Sequence, residues 1–307
     1  MRRFLLRRLS VFLPSVVGVV TLVFFFIHLI PGDPVDLMLG ESASPVDRGA
    51  LRSALHLDEP LPSQYRRYLT GVLAGNWGSS VQTHRPVLQL ISERYPATLQ
   101  LAFASMLLAL LVALPLGVLA AFYPSTVLDY GALFFALIGV SLPSYWLGPL
   151  LILLFSLELG WFPVAGRGGW AHLALPALTL GLALSALLTR MIRASLLEVV
   201  RMDYVSAARA KGLSFLAVML RHALPNALTP LLTVAGLQFG ALLAGSVITE
   251  TIFAWPGIGR LTLQAIQMRD YPLVQGCVLV IAMTYLLINL IVDLLYGYFD
   301  PRVRYER

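Results

Sequence analysis

The sequence predicts an all-α membrane protein with six transmembrane helices and a small helical extracytoplasmic segment. Three observations carry this expectation. Of 307 residues, 58% are hydrophobic and only 12% charged; six apolar runs approach the length that crosses a bilayer; and the basic residues gather between those runs. Such a composition excludes a water-soluble globule and a disordered or fibrous chain, and Cys277, without a second cysteine, excludes a disulfide scaffold. The net charge of +6 is divided among loops, which points to membrane orientation and not to nucleic acid.

The first run, 9–30, follows Arg2, Arg3, Arg7 and Arg8 as in a secretory leader. It is too long for one and ends in Pro31-Gly32-Asp33-Pro34 instead of a small-residue cleavage site, so 1–30 is expected to stay as an anchor. Residues 31–96 form an extracytoplasmic segment, with short amphipathic helices over 45–57, 61–73 and 86–95 set apart by Pro and Gly. A core over 97–297 follows, with spans at 97–122, 131–157, 171–189, 227–248 and 273–295 and kinks expected at Pro115, Pro143 and Pro176. A tail, 298–307, completes the chain.

Orientation follows from Lys and Arg in the short loops. One side carries 13 of them and the other three, Arg167, Arg260 and Arg269, so both termini are expected in the cytoplasm. The segment 123–130 belongs to the basic side yet has no basic residue of its own.

The segment 190–225 is too polar to span and too periodic for an unstructured loop. Over 193–210 there is no Pro or Gly, and Leu196, Leu197, Val200, Tyr204, Ala207 and Ala208 recur at spacings of three and four, which predicts one helix with one apolar stripe. Gly212 after Lys211 is a helix stop, Ser214 a cap for a second short helix, and Pro225 closes the excursion. Small side chains at Ala207, Ala208 and Ala210 admit a close partner, with Tyr204 as an anchor; an amphipathic helix lying on the membrane surface has the same pattern.

The string Ser206-Ala207-Ala208-Arg209-Ala210-Lys211-Gly212, followed after nine residues by His222-Ala223-Leu224-Pro225, resembles the E-A-A-x(3)-G-x(9)-I-x-L-P loop of binding-protein-dependent ABC importer permeases. Ser206 stands for the motif's Glu and His222 for its Ile. Asp203-Tyr204-Val205, Leu29-Ile30-Pro31-Gly32-Asp33-Pro34, Phe253-Ala254-Trp255-Pro256-Gly257-Ile258-Gly259-Arg260, Arg269-Asp270-Tyr271-Pro272 and Asp300-Pro301-Arg302-Val303-Arg304 are similar to the oligopeptide, dipeptide, glutathione and nickel branch, first permease subunit type. In the external segment, Asn76 and His56 depart from the Asp and Gly of that branch.

The resemblance implies a type I ABC importer permease fold in the bacterial inner membrane. It implies partners: a second permease subunit, forming a heterodimer, two cytoplasmic ATPase subunits that bind ATP and Mg, and an extracytoplasmic solute-binding protein. It places the ATPase contact on Tyr204, Ala207, Ala208, Lys211 and Gly212. The cargo implied is a peptide, glutathione included, with nickel or a nickel chelate as the alternative.

The chain has no G-x(4)-G-K-[ST] and so no phosphate-binding loop of its own; no cofactor is expected on it. His28, His56, His84, His172 and His222 lack metal-ligand spacing, and only Asp293 among acidic residues falls inside a predicted span, which weighs against an intramembrane enzyme, the other class considered. Gln238, Ser246, Glu250 and Asn289 are candidates to line a path, each also able to serve as interhelical glue. Gly236, Gly240 and Ala244, four residues apart, give span five a thin face for helix packing.

Overall fold

The computed structural model describes residues 2–29, 35–36, 44–54 and 56–299. The Pro31-Gly32-Asp33-Pro34 string and the tail from residue 300 lie outside them. Among the described residues there is no strand, only an isolated bridge between Ser79 and Pro86.

Helix α1 (Arg2–Leu29) is followed by two short helices, α2 (Pro45–Ala54) and α3 (Leu61–Leu73). The expected third external helix is absent as a separate element: 86–95 runs straight into span two as α4 (Val87–Phe122), 36 residues or about 54 Å long. Pro96 does not break it: Val87, Leu90 and Ile91 before the proline are buried against the last two helices, and Ala97 and Leu101 after it are buried in a second cluster, so both flanking turns are held across the missing N–H.

The third predicted span breaks at Pro143, where a kink is expected. Its residues form α5 (Val127–Ser141) and α6 (Ser144–Leu151), the latter continued by a π-helical turn (Ile152–Glu158), with a bend of 101° between the two halves. Leu142, before Pro143, is pushed to an extended ψ of 112°, as the proline ring demands. Pro115 and Pro176 lie inside unbroken helices. Among the described residues, five helices are thus long and apolar enough to cross a bilayer, and six crossings result if the bent pair counts as one.

Helix α7 (Trp170–Val200) extends 11 residues past the predicted end of span four. The single helix expected over 193–210 is therefore divided: α7 ends at Val200 with Arg201 as its C-cap, Met202 turns extended (ψ 149°), and α8 (Asp203–Ala210) starts afresh. After Gly212, at φ +82°, come α9 (Phe215–Val218) and a π-helical turn (Met219–Ala223). The Ser214 hydroxyl caps α9 by accepting from the Ala217 N–H at 3.4 Å. Helix α10 (Leu224–Gly245) is span five, interrupted at Ser246 before α11 (Val247–Ile252). Helices α12 (Ile258–Gln267) and α13 (Tyr271–Phe299) complete the order.

One core unites α4, α7, α10 and the loop: Leu188, Ile192, Leu196, Val205, Val218 and Ala223 are buried together. The helices approach closely where side chains are small. A Cβ on Gly117 would lie 2.7 Å from Ile192, and one on Gly139 2.5 Å from Ala186. At the opposite end of the bundle, here the cap end, α3 rests on α1 through a Thr21–Tyr65 hydroxyl contact of 2.7 Å and the Phe24 and Tyr65 rings.

Candidate functional site

The loop end presents a surface built on α8. The turn at Arg201 and Met202 resets the helical phase, so the expected stripe splits in two. Val205 and Ala208 point into the core beside Leu196, Met219 and Ala223, while Tyr204, Ala207, Lys211 and Gly212 are exposed. Of the five residues expected at the ATPase contact, Ala208 is therefore on the inner face. It anchors the helix that presents the other four. Around them the exposed Leu213, Phe215, Leu216 and Leu220 add an apolar rim not singled out in the sequence, with the Arg209 guanidinium 5.6 Å over the Phe215 ring. The Tyr204 hydroxyl donates to the carbonyl of His222 at 3.4 Å, tying α8 to the chain entering span five.

The same end holds a charged cross-link. Arg193 on α7 grips Asp129 at the start of α5 in bidentate fashion, Nη2 to Oδ2 at 2.7 Å and Nε to Oδ1, and Asp129 also accepts from the Ser125 N–H at 2.9 Å. Asp129 is 1% exposed. This sets 123–130 beside the basic loop although it has no basic residue: its acid borrows a cation from the neighbouring helix. Arg8 reaches Asp293 at 2.9 Å, joining α1 to the end of α13.

Between the ends, an open groove of about 480 Å³ runs between α6, α7, α10 and α11. Gln238 and Ser246 line it with Ser144 and Thr249, against Leu180 and Ala183, so the wall is apolar with a few uncharged polar groups. Asn289 is not part of this wall; its Oδ1 is buried without a hydrogen-bond partner. Gly236 and Gly240 face α13: a Cβ on Gly236 would come 2.2 Å from Val292 Cγ2, and one on Gly240 3.3 Å from Ile288 and Tyr285. Ala244, one turn further, is half-buried.

Glu250 lies away from the groove, beyond span five at the cap end, fully buried. Its Oε1 accepts from the Thr98 hydroxyl at 2.9 Å and its Oε2 from the Arg260 N–H at 2.9 Å, while Thr98 Oγ1 accepts from the Ile258 N–H at 2.8 Å. The loop 253–260 wraps this carboxylate, and Gly257 is obligatory there because a Cβ would fall 2.2 Å from Oε1. Burial raises the Glu250 pKa above the usual carboxylate range, against the N–H and hydroxyl donors that lower it. Arg260 Nη1 donates to the carbonyl of Ala254 at 2.7 Å and holds that residue at φ +47°. Asp270 joins the external segment to this end, accepting from the Ser80 hydroxyl and, at 3.3 Å, from the Val81 N–H.

Residues 113–305 match the model of the binding-protein-dependent transport system inner membrane component family, and 1–102 match that of the N-terminal part of such membrane components. The chain is 42% identical over 339 aligned residues to the dipeptide transport system permease protein DppB of Escherichia coli (strain K12). It is 42% identical over 306 to the glutathione transport system permease protein GsiC of Salmonella paratyphi A. Both alignments cover 100% of each chain. In fold it is similar to a chain of the inward-facing MetNI methionine ABC transporter, with TM-score 0.55, 23% identity, and 69% of this chain and 97% of that one covered. It is similar also to an amino acid ABC transporter crystallised with histidines (TM-score 0.53, 20% identity, 70% and 94% covered).

Proposed function

The chain belongs to the binding-protein-dependent transport system inner membrane component family, and on that premise we propose that it carries peptides, dipeptides or glutathione, through a path shared with a second permease subunit. Two ATPase subunits, holding ATP and Mg, dock on the loop, and a solute-binding protein delivers cargo at the cap end. The loop end then faces the cytoplasm, as the excess of Lys and Arg there favours. The path runs along the groove of Gln238 and Ser246, whose wall suits a solute read by hydrogen bonds and shape more than by charge.

One observation carries this reading. Tyr204, Ala207 and Lys211 form an exposed ridge that is held from below by Val205 and Ala208, so force applied to the ridge passes into the core of α7 and α10. A helix that merely lay on lipid would turn its apolar residues outward; here the most apolar face is spent on the protein.

The test is crosslinking in the assembled transporter. Ala207→Cys should form a disulfide with a cysteine placed in the ATPase cleft, and cells lacking their own dipeptide permeases should regain uptake of labelled dipeptide with this chain and its partners. Crosslinks from residue 207 that reach only phospholipid would overturn the docking reading; uptake absent with intact crosslinks would overturn the cargo.

A further inference from the structure

The two helices joined by the Arg193–Asp129 pair meet at two levels. Near mid-span Gly139 packs on Ala186, and a Cβ at 139 would come 2.5 Å from Ala186 Cβ. Ten residues earlier on α5, about 15 Å along the axis, Asp129 is held by Arg193. The upper contact, made of a glycine and an alanine, has no side-chain interlock that would oppose a tilt of α5 on α7. Between the two levels the small side chains of Ala132 and Ala136 are buried, and at the lower end the ion pair adds a bidentate fork, which fixes angle as well as distance.

What lies at each end of this lever gives the pair its role. Arg193 sits two turns before Val200, where α7 passes through the Met202 turn into the exposed ridge of α8. Helix α5 ends at the Leu142–Pro143 elbow and hands on to α6, whose Ser144 lines the groove and whose Gly148 abuts Ile252 and Phe253. A displacement of the ridge can reach the groove wall on this side through α5 and the elbow.

We propose that Arg193 and Asp129 are positioning residues of the transport cycle: their ion pair locks α5 to the loop end of α7, so that movement of the loop tilts α5 and swings α6 at the groove. This rests on the reading of the loop as an ATPase contact. An apolar contact would let the helix ends slide, and the ion pair does not. Asp129 has no other cation in reach on its own segment, since 123–130 contains none.

The experiment uses the complete transporter with its own ATPase subunits, spin-labelled at Tyr145→Cys on α6 and Leu237→Cys on α10, both exposed, while buried Cys277 stays unlabelled. Distances are measured without nucleotide and with ATP plus orthovanadate. The expected result is a nucleotide-dependent shift in the otherwise unaltered complex that is lost in Arg193→Gln and in Asp129→Asn while ATP is still hydrolysed. A purely stabilising pair would reduce assembly without abolishing the shift in the complexes that assemble.

A shift that persists undiminished in Arg193→Gln overturns the proposal, as does the absence of any shift in the parent complex. Should Arg193→Gln not assemble, Arg193→Lys keeps the charge without the fork: a reduced shift supports the lock, a full one overturns it. If the ATPase subunits fail to bind the parent chain at all, the docking reading falls and takes this proposal with it; persistence of the shift in the variants defeats the lock alone.

Discussion

The indole N–H of Trp255 donates to the main-chain carbonyl of Ala97 at 2.8 Å, across 158 residues of sequence, with the ring fully buried. The Arg167 guanidinium lies 5.9 Å from the ring centroid, and Ala97, Leu101 and Ala177 pack around it. The contact fastens the 253–260 loop to the cap ends of spans two and four. Trp255→Phe should cost about 1 kcal/mol, the worth of one hydrogen bond, and Trp255→Ala about 3–5 kcal/mol, since it also opens a cavity. Thermal unfolding in detergent separates the two; equal losses would show that the hydrogen bond and not the packing dominates.

Glu250 makes the same loop sensitive to pH. Its raised pKa means that the native environment favours the protonated acid more than the unfolded chain does. The stabilisation is therefore complete below the ordinary glutamate pKa of about 4.3 and is lost as pH rises through the higher native value. Proteolytic cleavage within 253–260 should quicken as pH rises across that window. Glu250→Gln, which keeps an acceptor for the Arg260 N–H, should flatten the profile, and a profile unchanged by Glu250→Gln would remove Glu250 as its source.

Some of this was legible from local chemistry alone. Gly212 as a stop and Ser214 as a cap are decided by their own backbones, and the thin face at Gly236 and Gly240 follows from spacing. The break at Pro143 was legible as a kink, although not its size of 101°, whereas the unbroken passage of α4 through Pro96 was not. Around Pro96, Val87 and Ile91 are buried on one side and Ala97 and Leu101 on the other, against residues far along the chain that no local pattern announces. The phase reset at Met202 was hidden because an uninterrupted periodic pattern runs through it. The Arg193–Asp129 pair joins residues 64 apart, and no local signal marks either as the other's partner. Glu250 reads as a candidate to line the path until the loop 253–260 is folded over it.

Span five and span six meet at Gly236 and Val292 with no room for a methyl group. Gly236→Ala should destabilise the packed pair by about 1–3 kcal/mol through overpacking, and Val292→Ala in the same chain should recover part of that loss by vacating the space. Detergent melting of the two single variants and the double variant gives the coupling directly. Strict additivity would mean that the helices simply shift apart.

Gly212 tests how stiff the loop must be. Its φ of +82° is a left-handed conformation, yet a Cβ there would meet nothing within 4 Å, so any penalty is backbone strain and not a clash. Gly212→Val should cost about 1–2 kcal/mol at this position, because a β-branched residue resists positive φ, and Gly212→Asn far less, because asparagine visits that region. The strain falls between α8 and α9, where the chain is exposed and free to yield, so it should appear as a reoriented ridge and not as global unfolding. Reconstituted with its partners, the Gly212→Val chain should insert normally and permit ATP hydrolysis while uptake of labelled dipeptide falls several-fold, with Gly212→Asn close to the parent. Equal uptake in both variants would show that the conformation at residue 212 is immaterial to coupling; equal loss would point instead to a need for a bare backbone where the ATPase subunit approaches.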